Sequence, residues 1–363
     1  MRIAQVCPLH ESCPPKLYGG TERIVSYLTE ELVELGHEVT LFASGDSITS
    51  ACLEAAWPRA LRLTGCSDPI VPHLMMLKRV VQLADGFDLI HFHTDCLHFP
   101  SFADRGVPCL TTLHGRLDIP ELQPFYATFP ELPLVSISQA QRAPVPDASW
   151  LATVHHGLPL DLLRFNPAPQ GEYLAFLGRI APEKRPDRAI EIARRANMKL
   201  RIAAKVDHAD RDYFERHIRP LLDDPLIEFM GEIDEQQKND FLGNASAMLF
   251  PVDWPEPFGL VMIEAMACGT PVIAYPHGAV PEVIDQGITG FMVQNIDEAV
   301  AALDQARRLD RAAIRRRFEQ RFSASRMARD YVALYRRLAA DPRTPALLPG
   351  IHPREIAAAG GVG

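Results

Sequence analysis

The chain has 363 residues, enough for two domains of ordinary size that each bury a core. With 37 basic against 46 acidic side chains its formal charge is -9, which argues against a general nucleic-acid footprint. Seven cysteines without CxxC pairs provide neither a disulfide framework nor a zinc module, and no apolar run reaches the length of a membrane span. The expected setting is therefore reduced and cytoplasmic, with a weak peripheral contact to membrane left open.

In chain order, Arg2 to Val6 reads as a first strand that Cys7-Pro8 breaks; it lacks the long apolar region of a signal peptide. Lys16-Leu-Tyr-Gly-Gly-Thr-Glu22 then opens a helix. Thr21 suits its cap, Ile24, Val25, Leu28, Leu32 and Leu35 its buried face, and Gly36 its end. Gly19 and Gly20 form either a tight strand-to-helix turn or a place where backbone approaches a ligand. Further strands are expected over Val39 to Ala43, Asp88 to Phe92, Pro108 to Leu113 and Leu134 to Ser138. A second series covers Glu172 to Leu177, Leu200 to Ala204, Leu226 to Met230, Ala247 to Phe250 and Pro271 to Ala274. Asn166-Pro-Ala-Pro marks a linker, which puts the domain boundary near residue 165. Met327, Tyr331, Leu334, Tyr335 and Leu338 recur at helical spacing, and the tail over 341–363 has too little patterned apolar surface for another domain. Strands alternating with amphipathic segments give an α/β fold of doubly wound parallel sheets, whose ligands bind at the carboxyl ends of the strands.

Several clusters bear chemistry. Glu256-Pro-Phe-Gly-Leu-Val-Met-Ile-Glu264 sets one carboxylate before a helix and one within it. The N–H groups of Phe258, Gly259 and Leu260 lie where a helix N-terminus can hold phosphate. Gly178-Arg179-Ile-Ala-Pro-Glu-Lys184 follows a strand; Arg179 can offer parallel donors to phosphate and Lys184 a compact charge, with a surface pair to Glu183 as the default partner for Lys184. His114 and Gly115 close a strand. His91, His93 and Asp95 alternate on another, where acceptor binding, metal ligation and structural hydrogen bonding compete; no metal site is assigned. Asp210-Arg-Asp212 reads as an exposed helix start. Arg307, Arg308, Arg311, Arg315, Arg316, Arg317 and Arg321 read as solvated helix faces balanced by Asp304, Asp310 and Glu319.

The stretch from Glu256 to Glu264, with the following Ala-Cys-Gly-Thr-Pro-Val-Ile-Ala, resembles the E-x7-E motif of the family-4 retaining glycosyltransferases. Gly178 to Lys184 resembles that family's G-R-x-x-x-x-K element. The resemblance covers both halves of the chain. It implies the GT-B architecture, two Rossmann-like domains facing across a cleft, with an acceptor-side domain over 1–165, a nucleotide-sugar domain over 166–321 and a helix over about 322–340 crossing back onto the first. It also implies a UDP- or GDP-sugar donor, a carbohydrate, lipid-linked or small-molecule hydroxyl acceptor, same-face transfer, and no cofactor or obligatory metal. Under the same resemblance Arg179 and Lys184 stabilise the leaving diphosphate, and Gly19 and Gly20 lie against it. Glu256 binds hydroxyls of the transferred sugar, Glu264 holds the ribose, His114 supports the reacting centre, and the backbone near Ile233 reads the base. A nucleotide-sugar epimerase of the same fold and a non-catalytic nucleotide-sugar sensor are the alternatives; detection of sugar transfer separates both from a transferase.

Overall fold

A computed structural model of the protein describes residues 1–16, 19–103 and 105–340; the expected tail lies outside them. The first half builds one sheet from β1 (Arg2–Val6), β2 (Glu38–Ser44), β3 (Cys52–Trp57), β4 (Leu89–Phe92), β5 (Cys109–Thr112), β6 (Leu134–Ser136) and β7 (Trp150–Thr153). The second half builds another from β8 (Tyr173–Arg179), β9 (Lys199–Lys205), β10 (Ile227–Gly231), β11 (Ala247–Phe250), β12 (Val272–Ala274) and β13 (Gly290–Met292). All pairings are parallel, in the orders β3-β2-β1-β4-β5-β6-β7 and β10-β9-β8-β11-β12-β13. Strands β4, β5, β11 and β12 are buried at every residue, as parallel strands covered on both faces must be. Strand order reverses between β1 and β4 in one sheet and between β8 and β11 in the other, so each sheet opens a crevice at those carboxyl ends.

Strands β3, β7 and β13 have no counterpart in the sequence expectation. Each is a sheet edge, and β3 and β7 are only half-buried, so none carries a continuous apolar run. Helix α1 (Gly20–Glu34) also starts differently. Gly19, not Thr21, occupies the cap position and no side chain caps the helix; a β-carbon on Gly19 would strike Pro15 at 2.8 Å. Ile24, Val25, Leu28 and Leu32 are buried, whereas Leu35 lies past the last turn and is exposed.

Covering the second sheet and the join between domains are α2 (Pro186–Ala196), α3 (Glu235–Gly243), α4 (Leu260–Ala267), α5 (Val280–Val283), α6 (Arg311–Arg321) and α7 (Ala324–Ala340). The chain passes between the sheets after β7 and returns at α7, and the two crossings are tied together. Leu158 N–H donates to Phe322 O at 2.9 Å and Ala324 N–H to Leu158 O at 2.8 Å. Helix α7 packs on α1 and β4, with Tyr331 and Tyr335 wholly buried. Among the described residues no helix is long and apolar enough to cross a membrane.

The late arginines are not all solvated. Arg311 donates to Asn166 O, Gly243 O, Ala245 O, Cys268 O and Thr270 Oγ1 at 2.7 to 3.3 Å, gathering four carbonyls and a hydroxyl from three segments at the start of α6. Arg315 likewise takes Leu160 O, Leu163 O and Ala267 O besides Glu319. Asn166 N–H and Nδ2 also donate to Cys268 O and Gly243 O, and the planar five-donor Arg311 guanidinium adds to them by meeting several acceptors at once. Arg311→Ala is expected to cost ~3 kcal/mol of stability because it removes a hydrogen-bond donor from each of these acceptors at once. Urea unfolding should register that loss, and Arg308→Ala, on an exposed side chain, should stay within about 0.5 kcal/mol.

Candidate active site

The carboxyl ends of β1 and β4 face those of β8 and β11 across one cavity of about 610 Å³. Gly19, Gly20, His114, Arg179, Lys184, Ile233, Glu256, Phe258, Gly259, Leu260 and Glu264 all line it. Residues distant in sequence are brought together because each follows a strand that ends at the cleft. Asp210, by contrast, is outside the lining.

The β11-to-α4 junction forms the floor on the second domain's side. Gly259 caps α4 with φ of +83°, a left-handed conformation costly for side-chain-bearing residues, and a β-carbon there would also meet Met262 at 2.7 Å. This turn buries Phe258 and brings Gly259, Leu260 and Val261 to the cavity, at the helix end whose first N–H groups lack intrahelical acceptors. Gly269, with φ of +79°, follows the last turn.

Glu256 and Glu264 are both buried, and each has a lysine partner. Lys184 Nζ forms a short ion pair with Glu256 Oε2, and Trp254 Nε1–H donates to the same oxygen at 2.8 Å. The Trp254 ring also lies 4.8 Å from the ammonium, adding a cation–π contact. Lys184 therefore reaches across to the β11 loop instead of its sequence neighbour Glu183. Glu264 Oε1 accepts from Lys238 Nζ of α3 at 2.7 Å. Lys238 also approaches Glu235 at 3.3 Å, and Glu235 takes Arg23 of α1 at 2.5 Å. This alternation of charges runs from Glu264 across the domain join. Neither Arg23 nor Lys238 figured among the sequence candidates; the Asp234–Gln237 capping box locates the start of α3, but nothing in it names Glu264 as a partner.

Arg179 lies among three carboxylates: Glu183 at 2.5 Å, Asp210 at 3.5 Å and Asp207 at 3.7 Å. The reading of Asp210 as an exposed helix start is corrected by this contact, since its side chain is only 16% exposed. Burial raises the Asp210 carboxyl above its ordinary value despite the nearby guanidinium.

On the opposite wall, His114 is held by a chain of neutral rings. His93 Nε2 lies 2.9 Å from Gln5 Oε1, an acceptor, so that nitrogen carries the proton and His93 Nδ1 is left to accept. His114 Nε2–H then donates to His93 Nδ1 at 2.9 Å, leaving His114 Nδ1 bare, buried and without a partner. Burial pulls the His114 ring down to about 3, and burial with the surrounding rings pulls His93 well below its ordinary value, so both stay neutral. His114 stacks on His156 at 5.2 Å, and His156 meets the edge of Phe258 at 4.9 Å, linking the two walls. His91 belongs to the same support: Nδ1 meets Tyr335 OH and Nε2 meets Thr112 Oγ1, each at 2.7 Å. The nitrogens of His91 and His93 are thus engaged with protein groups. Asp95 faces the cavity separately, with φ of +48°.

The profile described as glycosyl transferases group 1 matches residues 164–322, and that of glycosyltransferase family 4 matches 18–190. A phosphatidyl-myo-inositol mannosyltransferase of Propionibacterium freudenreichii subsp. shermanii is 27% identical over 342 residues, 84% of this chain and 85% of that protein. A D-inositol 3-phosphate glycosyltransferase of Streptomyces scabiei is 33% identical over 181 residues, 43% of this chain but only 40% of that protein. Among solved structures, Anabaena Alr3699/HepE in complex with UDP and glucose superposes with a TM-score of 0.70 at 19% identity, covering 93% of this chain and 100% of that one. With both domains matched and the two parallel sheets facing across the cleft, the chain belongs to the family-4 glycosyltransferases of GT-B fold.

Proposed function

We propose that the cleft transfers a glycosyl group from a nucleoside-diphosphate sugar to a hydroxyl acceptor, with retention at the anomeric carbon and with protein cations in place of an obligatory metal. The observation that carries this reading is the meeting of Lys184, Glu256 and the N-terminus of α4 at one end of the cavity. A dianionic leaving group needs positive charge that is already oriented when the glycosidic bond breaks, and a helix N-terminus with a lysine and an arginine supplies it. On donor binding, the diphosphate takes Lys184 from Glu256, and Glu256 turns to the hydroxyls of the transferred sugar. Arg179 reaches the same diphosphate. Glu264, eight residues on and in the second turn of α4, holds the ribose, with the base over the backbone near Ile233.

The sugar is thereby held between Glu256 and the opposite wall, which His114 lines. As the bond from the anomeric carbon to the phosphate oxygen breaks, its electrons go to the diphosphate, and the acceptor oxygen bonds to the same face. The acceptor proton passes to the departing phosphate oxygen. Asp95 and the loop after β1 bound the acceptor side of the cavity. The relatives named for D-inositol 3-phosphate and phosphatidyl-myo-inositol support a polyol phosphate, free or lipid-linked, as the first acceptor to try.

A panel of UDP-, GDP- and ADP-sugars, assayed for nucleoside-diphosphate release in excess chelator, tests the reading. One donor should turn over without added metal, and Arg179→Ala and Lys184→Ala should each lower its turnover by about a hundredfold with the circular-dichroism spectrum unchanged. Activity that vanishes in chelator and returns with magnesium or manganese would remove the metal-free assignment.

The two carboxylates should separate kinetically. Glu256→Gln removes charge beside the developing positive sugar and should lower the single-turnover rate far more than it weakens nucleoside-diphosphate binding. Glu264→Gln should chiefly weaken that binding, by about tenfold, because the ribose contact exists in ground and transition states alike. Calorimetry with UDP and GDP beside single-turnover kinetics resolves the two; indistinguishable effects would reject the division.

A further inference from the structure

The mechanism leaves unused one acidic side chain that joins the two domains. Glu282, on α5 of the second domain, accepts from Gln139 N–H and Ala140 N–H of the first domain, each at 2.8 Å, one to each carboxylate oxygen. His155 Nε2, on the segment between the sheets, lies 3.1 Å from one of these oxygens. Beside it, Ser138 Oγ–H donates to Pro257 O at 2.7 Å.

Both ends of this contact lead to the cavity. On the first domain's side the next residue, Gln141, is buried. Its Nε2 donates to Leu113 O at 2.9 Å and to Gly115 O at 2.8 Å, gripping the backbone on either side of His114. Its Oε1 accepts from Ile137 N–H at 2.9 Å, so the side chain is fixed at both ends. On the second domain's side, Ala279 N–H donates to Glu256 O at 2.9 Å, and Glu282 N–H donates to Ala279 O at 2.9 Å. Gly278, with φ of +59°, lies so close that a β-carbon would stand 2.3 Å from Glu256 N and O. The backbone of Glu282 is itself anchored, because Arg321 donates to Glu282 O and pairs with Asp285.

We infer that Glu282 is a positioning residue, whose carboxylate clamps the turn behind His114 to the segment behind Glu256 and so sets the spacing between the two walls of the cleft. The assignment rests on the proposed roles of His114 and Glu256 for its kinetic consequence, but not for its structural one. A carboxylate suits this task because its two oxygens can accept from two successive backbone N–H groups at once. Burial alone would raise this carboxyl; His155 and the two amides outweigh it and hold the group below its ordinary range, so the clamp is charged at neutral pH.

The test compares Glu282→Gln with the wild type by two readouts. The first is the distance distribution between spin labels on Cys52 and on Asp304→Cys, with Cys66 and Cys96 replaced by serine. The second is turnover of the donor that the wild type accepts best, beside calorimetric affinity for UDP and GDP. The amide offers one acceptor where two are needed, so the distribution should broaden and turnover should fall by about tenfold or more, while nucleotide affinity stays within about twofold. Gln139→Pro deletes one of the two donors without touching Glu282; the φ of Gln139 is -67°, already suited to proline, so the variant should fold and move both readouts the same way. An unchanged distribution in both variants, or an equal loss of affinity and turnover, overturns the inference. A broadened distribution with no donor turnover even in the wild type supports the clamp and removes the transfer reading instead.

Discussion

The Lys184–Glu256 pair is the interaction on which the cleft depends. It joins the loop after β8 to the loop after β11, the two that flank the switch point of the second sheet. A carboxylate buried beside a helix N-terminus and a lysine on a neighbouring loop would each be costly alone, and together they satisfy one another. Trp254 closes the arrangement by donating to the carboxylate and lying against the ammonium. The pair keeps two largely buried charges in place, yet its lysine is a point charge that another anion can claim. The Lys238–Glu264 pair repeats the device farther along α4.

The opposite wall obeys a different constraint. It is polar, and burial keeps the His114 ring and its neighbour His93 neutral. Its order comes from a hydrogen-bond chain whose far end is α7, where Tyr335 meets both Gln5 and His91. Helix α7 follows the second domain in sequence but packs against β4 of the first. The orientation of a ring in the cleft therefore depends on a helix that enters the first domain only after the whole second domain has been traced.

What sequence could disclose follows from the range of each interaction. The parallel strands buried on both faces are legible as apolar runs, and the family motifs place Glu256, Glu264, Arg179 and Lys184 at strand ends, where the fold collects them into one cavity. The edge strands β3, β7 and β13 lack such runs. Partners were the larger blind spot. Lys184 prefers Glu256 to its neighbour Glu183, Glu264 finds Lys238, and Arg311 turns inward to loop carbonyls, because each choice is set by loops that approach only in the folded chain. Gln141 and Glu282 were invisible for the same reason: an amide gripping the backbone around His114 and a carboxylate capping a turn in the other domain leave no periodic trace.

The cleft is expected to hold its cations on carboxylates that a diphosphate displaces. A crystal structure with bound UDP or GDP tests this most directly. The diphosphate is expected at the N–H groups of Gly259 and Leu260, with Lys184 Nζ transferred from Glu256 to a phosphate oxygen and the ribose at Glu264. A nucleotide lodged elsewhere, or one bound in the cleft with Lys184 still on Glu256, would contradict it.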